Sequence, residues 1–244
     1  MDIDSYGNPP TYAPYSDGDS TSLSSVLSLP SHALHRNVDS IILAAGASGR
    51  VKTAIVCPPT IVGAGRGVDN TRSQQIPGLA AAYLERGQPF QIGKGLNRWT
   101  YVHVSDLSRL YLLLVTAAAG VIASGSSGPA NAGKATWNDE GYYFAEAGEF
   151  EWGTVCRQLA TKGKELEYWN TVTVEELPAV VANSFVRGAG VRWGTNSLCK
   201  ALRAKELLGW EPTGPGLEAS VEEALEVERK RAGIGHAKRA AGDA

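Results

Sequence analysis

Short β-rich runs alternate with helical apolar patterns along most of this chain, and that alternation limits its fold more than any other feature. The strand-like runs are "VKTAIVC" (51–57), "PFQIG" (89–93), "TYVHV" (100–104) and "GYYFAEAG" (141–148). Helical spacing appears between them in "SQQIPGLAAAYLERG" (73–87), in the segment from Ser105 to Ala119 and in "EWGTVCRQLATKG" (151–163). Such alternation favours an α/β protein with a largely parallel sheet.

The remaining patterns complete this division of the chain. We predict a short strand in "LEYWN" (166–170), one helix in "VEELPAVVANSFVRG" (174–188) despite Pro178, a helical pattern in "SLCKALRAKELLGW" (197–210) and a helix in "SVEEALEVERKRAG" (220–233). The segment "GSSGPANAG" (125–133) is typical of a loop. We therefore expect a disordered or irregular arm over 1–29, the main unit over 30–232 and a flexible tail over 233–244.

The stretch "IILAAGASGR" (41–50) is similar to two kinds of phosphate loop, and its surroundings argue against both. Leu34, Val38, Ile41 and Ala45 recur at helical spacing, which predicts a helix capped by Ser31 and ended by Gly46 in a left-handed conformation. A phosphate loop needs a strand before it and a helix N-terminus after it. Here a helix precedes the glycines and a strand follows, so we expect no nucleotide site. A nucleotidyltransferase loop requires residues 33–45 to be a strand.

Composition excludes several function classes. The chain has 244 residues, a formal net charge of −2 and 43% hydrophobic residues, which is ordinary for a globular protein and gives no reason to expect nucleic acid as a partner. Cys57, Cys156 and Cys199 form no CxxC pair, which indicates a reducing compartment and no metal site. The start has no secretory pattern, and "LYLLLVTAAAGVIA" (110–123) is too short to span a bilayer. We expect a cytoplasmic protein without a membrane partner.

Three stretches together carry a resemblance to a known family. They are "VKTAIVCPPTIVGAGRG" (51–67), "YVHVSDLSRLYLLL" (101–114) and "SLCKALRAKELLGWEP" (197–212). In this order they resemble the C-terminal part of the extended and atypical short-chain dehydrogenases/reductases. That group includes the NAD-dependent epimerases, dehydratases and dihydroflavonol-reductase-like enzymes. The resemblance covers roughly residues 30 to 230 and is closest to atypical, fungal-looking members.

The resemblance implies a partial Rossmann-like parallel sheet, with a small C-terminal α/β lobe that binds substrate. The family opens with a strand, a GxxGxxG loop and a helix, and nothing of that kind precedes residue 30. At roughly 30 residues per βαβ unit, roughly a hundred residues of cofactor-binding sheet are missing. A truncated gene model, a degenerate paralogue and a half-protein that needs a partner remain open explanations. The family implies NAD or NADP as cofactor, with Pro58, Thr60 and Ile61 as the cofactor-binding positions of this chain.

The family's Tyr-x-x-x-Lys pair falls within "HALHRNVDSII", where this sequence differs. In one register Arg36 and Ser40 stand in these places, and in the next His35 and Asp39 do. His35, Arg36 and Asp39 are therefore the catalytic candidates. A pair of His35 and Asp39, one turn apart, could act as an acid–base couple, or these residues could be exposed polar side chains of a surface helix.

Substrate candidates lie after the strand at 51–62, because parallel sheets bind ligands beyond the carboxyl ends of their strands. Asn70, Arg72 and Gln75 supply donors suited to a diphosphate or a polyol, and Arg72 could equally form a salt bridge within its loop. The resemblance adds Arg98, one position before the place of an arginine that contacts the substrate diphosphate in nucleotide-sugar epimerases. Trp99, in that place, could stack on a substrate or lie in the core.

These observations together predict an NAD(P)-dependent oxidoreductase of the epimerase/dehydratase type. We expect a small polar or nucleotide-linked alcohol or carbonyl as substrate, and little or no activity from this chain alone. The alternative is a non-catalytic binding or regulatory protein on a degenerate dehydrogenase fold. A sheet that lacks its first strands would expose an edge, so aggregation or a homodimer through that surface is also open.

Overall fold

A computed structural model describes residues 6–120 and 134–233. Its strands are β1 (Tyr15–Ser16), β2 (Ile55–Cys57), β3 (Thr60–Val62), β4 (Phe90–Ile92), β5 (Arg98–His103), β6 (Tyr142–Phe144), β7 (Gly148–Glu151), β8 (Glu175–Leu177) and β9 (Cys199–Lys200). Its helices are α1 (Ser20–Leu27), α2 (Arg36–Ala47), α3 (Gln75–Arg86), α4 (Val104–Ala118), α5 (Trp152–Glu165), α6 (Ala179–Phe185), α7 (Ala189–Gly194), α8 (Arg203–Leu208) and α9 (Leu217–Arg231).

Most strand pairs in the described residues are parallel. β2 pairs with β6, β3 with β5, β4 with β8 and β1 with β9 in parallel, and β7 adds to β5 in the antiparallel direction. Since parallel neighbours need a crossover between them, the helices lie between the strands in the chain. The predicted α/β class is therefore confirmed, but the described strands form four separate sheets of two or three strands rather than one parallel sheet.

Two apolar cores hold these layers together. The first packs α3, α5 and α9 around Phe90, whose ring contacts the rings of Tyr83 at 5.3 Å and Trp193 at 5.9 Å between centroids. The second lies between α4, α8 and β6, around Leu110, Tyr143 and Leu208, all of which are fully buried. Tilted and edge-on aromatic pairs of this kind add packing energy beyond the area that they bury.

The N-terminal segment differs from the expected irregular arm. Residues 15–16 form β1 and residues 20–27 form α1, with Leu23 and Val26 in the second core. Asp17 is completely buried, and its carboxylate accepts hydrogen bonds from the backbone N–H groups of Phe144 (2.8 Å), Leu202 (2.8 Å) and Arg203 (3.0 Å). The short polar residues of this segment therefore serve as anchors and caps, whereas composition alone suggested disorder.

The helix before "GASGR" is present, as predicted, but its ends differ. α2 begins at Arg36 behind His35, whose φ of 66° is left-handed, so Ser31 is not the cap. Gly46 is buried inside the helix, and the left-handed conformation belongs to Gly49, with φ of 71°. Residues 36–47 are helical, so the strand that a nucleotidyltransferase loop requires is absent there.

Four further predictions need correction. Residues 166–170 form no strand, because Trp169 packs into the first core and its ring N–H donates to the carbonyl of Ala160 at 2.9 Å. Residues 174–188 divide at Pro178 into β8 and α6, since β8 pairs with β4. The segment 197–210 holds β9 as well as α8. α4 begins at Val104 and is capped by the ring of His103 rather than by Ser105.

Other expectations concern single features. Gly87 ends α3 in a left-handed conformation, as predicted. The predicted loop at 125–133 and the predicted tail, apart from residue 233, lie outside the described residues. Within 6–120 and 134–233, no helix has the length and apolar character needed to cross a membrane. The same ranges contain no cluster of three or more metal-ligating side chains.

Candidate functional site

A cavity of about 360 Å³ lies at the carboxyl end of β2. Pro58 and Pro59 follow β2, and because proline donates no backbone hydrogen bond, the pairing of this strand with β6 ends there. The chain resumes as β3, which pairs with β5 instead. This change of neighbours separates the two strand pairs, and ligands of parallel sheets bind at such points.

The cavity brings together five of the predicted site residues. His35, Arg36 and Asp39 reach it from the start of α2, Pro58 from the end of β2 and Gln75 from the start of α3. The three catalytic candidates and one candidate from each of the cofactor and substrate sets therefore share one space. Their roles remain predictions.

The side chain of Arg36 is fixed at the wall of this cavity. Its Nη2 donates to the carbonyl of Leu27 and its Nε to that of Leu29 at 3.4 Å. Its Nη1 lies 3.6 Å from Oδ2 of Asp39, in an ion pair whose side chains are only 11% and 13% exposed. Nη1 is buried and makes no hydrogen bond among the described residues. The charge of Arg36 is therefore balanced by Asp39, and its guanidinium holds the start of α2 to the segment after α1.

The expected acid–base couple of His35 and Asp39 is not formed. The carboxylate of Asp39 pairs with Arg36, and His35 is linked to Asp39 only through the backbone, whose N–H donates to the His35 carbonyl at 3.0 Å. The spacing correctly predicted that His35 and Asp39 lie near each other. The Asp39 carboxylate, however, pairs with the guanidinium of Arg36 rather than with the ring of His35. In the first turn of α2, the negative charge of Asp39 also suits the helix dipole.

Aromatic rings and thiols make up much of the remaining wall. Tyr142 and Phe144 alternate with Tyr143 on β6, so their rings share the face that lines the cavity. Trp99 comes from β5, and its ring N–H is already satisfied by the carbonyl of Thr195 at 2.6 Å. The thiol of Cys57 comes from β2, the strand that pairs with the β6 strand of Tyr142.

These two acids keep their protons at neutral pH. Burial, followed by the nearby Cys57 thiol, raises the pKa of Tyr142 far above its usual range, and the charge of Asp39 acts in the same direction. Burial likewise raises the pKa of Cys57. Neither group is an anion that could act as a base or a nucleophile, but the Tyr142 hydroxyl can donate a hydrogen bond.

The other substrate candidates lie elsewhere. Asn70 and Arg72 line a second cavity of about 380 Å³ between the loop after β3 and helices α3 and α9. Nε of Arg72 donates to Oε1 of the buried Glu228 at 2.6 Å, so Arg72 forms a salt bridge to α9 rather than within its loop, and its role toward a substrate stays a prediction. Oδ1 of Asn70 accepts from the Arg72 backbone at 3.0 Å. The side chains of Asn70 and Arg72 therefore both stabilise the loop after β3.

Three further candidates do not face the first cavity. Arg98 forms an ion pair with Glu149 on the neighbouring β7 and lines none of the cavities described above. Thr60 is completely buried in β3, and Ile61 packs against the second core. Of the three cofactor positions, only Pro58 lines one of these two cavities.

His103 and Asp106, both within the motif at 101–114, have structural roles. Nδ1 of His103 accepts from the Ser105 backbone at 3.2 Å and contacts its hydroxyl at 2.7 Å. The buried carboxylate of Asp106 accepts from the backbone of Thr213 at 3.1 Å and Gly214 at 2.8 Å. Asp106 therefore ties α4 to the segment before α9.

Several cavity residues were missed from the sequence. Cys57, Cys199, Tyr142 and Arg192 line the cavity but lie in four separate segments. Trp99 lies in the core at 5% exposure and also lines the cavity, so its stacking on a substrate stays a prediction. No spacing rule connects such residues, because strand pairing alone places them together.

The fold and this cavity define a class, the α/β proteins of Rossmann type with a ligand cavity at the end of a parallel strand. Residues 12–124 match the NAD dependent epimerase/dehydratase family. The match contains the first two motifs of the resemblance and confirms it there; the third, at 197–212, lies outside. It also begins within the segment that was expected to be an arm.

Individual proteins are also similar to this chain. Oxidase ucsJ from Acremonium sp. is 30% identical over 215 residues, which cover 87% of this chain and 61% of that protein. The crystal structure of PbgP3 from Burkholderia pseudomallei matches 81% of this chain and 52% of its own, with a TM-score of 0.54 and 13% identity. A dTDP-glucose 4,6-dehydratase from Bacillus anthracis str. Ames, solved with NAD, matches 95% of this chain and 60% of its own (TM-score 0.50, 15% identity). The chain thus spans only part of the length of these proteins.

Proposed function

We propose that this chain is the substrate-side, C-terminal portion of an NAD(P)-dependent oxidoreductase of the epimerase/dehydratase type. The reaction would move a hydride between a nicotinamide and a secondary alcohol or carbonyl of a small substrate. The observation that carries this proposal is the cavity at the end of β2, where α2 places Arg36 and Asp39 beside Pro58. The family match over residues 12–124 supports it.

The residues present do not fit the diphosphate of the cofactor. Gly46 lies inside α2, where a Cβ would come within 2.5 Å of Thr53 Oγ1, so packing accounts for this glycine. Gly49 leads into a strand rather than a helix. After β3, Gly63 has a φ of 85° and faces the ring of His103, but the next helix along the chain begins only at Gln75. A dinucleotide cradle needs a glycine loop that runs directly into a helix.

The cavity residues can bind and orient a substrate without that cofactor. The Tyr142 hydroxyl offers a proton that burial keeps in place, beside the guanidinium of Arg36. Asp39 is the single carboxylate among the lining residues and holds the guanidinium in position. These groups favour a substrate with an oxygen acceptor at the α2 side of the cavity.

The test is a titration of the purified chain with NADH and NADPH, followed by calorimetry and by nicotinamide fluorescence. We expect no saturable binding below about 1 mM, since the diphosphate has no cradle and such weak affinity corresponds to only about 4 kcal/mol. We also expect no turnover of alcohols or carbonyls. Micromolar affinity for either nucleotide would overturn this part of the proposal.

The alternative is a non-catalytic binding protein on a degenerate dehydrogenase fold. It is favoured by the Tyr-x-x-x-Lys positions, which hold Arg36 and Ser40 in one register. Arg36 is tied to the carbonyls of Leu27 and Leu29, and the Ser40 hydroxyl donates to the Arg36 carbonyl at 2.7 Å. DNA upstream of the first codon discriminates between the two. A strand followed by GxxGxxG supports the enzyme, and a true start at Met1 supports the degenerate form.

A further inference from the structure

The cavity at the end of β2 is divided into an aromatic part and a charged part. Four rings line it, from Tyr15 on β1, Trp99 on β5, and Tyr142 and Phe144 on β6. The charged side chains stand on two helices, with Arg36 and Asp39 on α2 and Arg192 on α7. A ligand that fills this space meets apolar surface along its body and charge at one end.

The aromatic part of the wall favours a flat ligand. The Trp99 N–H is used by the Thr195 carbonyl, so Trp99 offers a ligand apolar surface rather than a donor. Tyr15, Gln75 and Ser197 add a few polar groups to the lining. A flat conjugated ring stacks on aromatic side chains.

The charged part has an excess of positive charge. Two guanidinium groups face one carboxylate, and Asp39 is already engaged by Arg36. Arg192 is exposed at the mouth and forms no ion pair with any residue in the described ranges. Arg36 Nη1 is a buried donor without a hydrogen bond there. Guanidinium groups bind carboxylates through paired N–H donors, so this end suits an anion.

The size of the cavity sets the scale of the ligand. Its volume of about 360 Å³ is more than twice the roughly 150 Å³ of an apolar cavity that holds one benzene ring. Two or three fused rings therefore fit. A nucleotide diphosphate carries at least two negative charges on its phosphates. The two guanidinium groups and one carboxylate of this site give a net charge of only +1.

We propose that this cavity selects a planar conjugated molecule that ends in a single carboxylate or enolate, rather than a nucleotide-linked sugar. The proposal deepens the proposed function, because it takes the same cavity as the substrate site, and it narrows the substrate class. The aromatic walls bind the conjugated body, and Arg192, whose charge no carboxylate of the cavity balances, binds the anionic end.

The experiment is calorimetric titration of the whole chain with 2-naphthoate, with the neutral analogue 2-naphthylmethanol and with UDP-glucose. We expect naphthoate to bind at least about tenfold more tightly than the alcohol, and UDP-glucose not to displace it. Equal affinity for acid and alcohol would overturn the proposal. So would displacement by UDP-glucose at lower concentration, or the absence of naphthoate binding up to about 1 mM to protein whose circular dichroism shows it folded.

Two arginine variants assign the charge selectivity to the site. Arg192→Met should weaken naphthoate binding about tenfold and change that of naphthylmethanol less than about threefold, since only the anion loses a partner. Arg187→Met is the matched control, because Arg187 is exposed just before α7 and does not line the cavity. Equal losses in both variants would contradict the assignment. Because NAD(P)H is titrated separately, tight nucleotide binding would refute the cofactor proposal and leave this selectivity standing.

Discussion

At the scale of single residues, short polar side chains determine much of how this chain is held together. Asp17, Asp106 and Asn97 are buried, and the carboxylates of the two aspartates and the amide nitrogen of Asn97 bond to backbone groups of distant segments. A buried carboxylate is stable only where donors surround it. These residues therefore hold elements of the fold together and have no catalytic role here. The residue types Asp and Asn by themselves do not distinguish the two roles.

We predict that Asp17→Ala destabilises the protein by about 2–4 kcal/mol, because it leaves three buried backbone N–H groups without an acceptor. Urea unfolding followed by circular dichroism measures the change. Asp69→Ala is the control, since Asp69 is exposed and should change stability by less than about 0.5 kcal/mol. Similar stability of the two variants would show that the N-terminal segment is not anchored as the structure indicates.

At the scale of elements, helices with a clear amphipathic period were predicted best. α3, α4, α5 and α9 lie close to their predicted ranges, because side-chain spacing and capping act within a few residues. The element at 174–177 was misread as helix, since its strand exists only through pairing with β4, some eighty residues earlier. Pairing between distant segments leaves little local signal.

Alanine substitutions at two helical glycines should change the stability of the protein in opposite directions. A Cβ on Gly163 of α5 would lie 1.8 Å from the Trp169 ring, so Gly163→Ala should destabilise by about 1–3 kcal/mol despite its better helix propensity. A Cβ on Gly78 of α3 meets nothing closer than Trp193 at 3.6 Å, so Gly78→Ala should stabilise by about 0.5–1 kcal/mol. Thermal unfolding of both variants measures this. A stabilising Gly163→Ala would mean that Trp169 does not pack on α5.

At the scale of the whole molecule, the exposed side of α2 has no cover in the described residues. Leu34 is 61% exposed, Val38 is 52% and Ile41 is 69%, although their spacing marks the apolar face of that helix. Beside it, β2 pairs within those residues only with β6, so its second edge is open. An apolar helix face next to an open strand edge favours association.

We therefore predict that this chain associates with a second copy of itself through the α2 face. Sedimentation velocity should show a concentration-dependent shift, and Ile41→Lys should weaken the association by about tenfold, because a charge on the apolar face must be desolvated. Val68→Lys is the control, since Val68 is fully exposed in a loop away from this face. A monomer at all concentrations, or an equal effect of both variants, would contradict the prediction.

The sequence by itself determined the α/β class, the helix at 36–47 and hence the absence of a phosphate loop at residues 46–49. These depend on periodicity and capping, which act between neighbours in the chain. Only the tertiary structure decided what the cavity is. It places Arg36, Trp99, Tyr142 and Arg192 around one cavity. It also pairs the Asp39 carboxylate with Arg36 rather than with His35. Strand pairing and burial join segments far apart in the chain, and no spacing within one segment encodes that geometry.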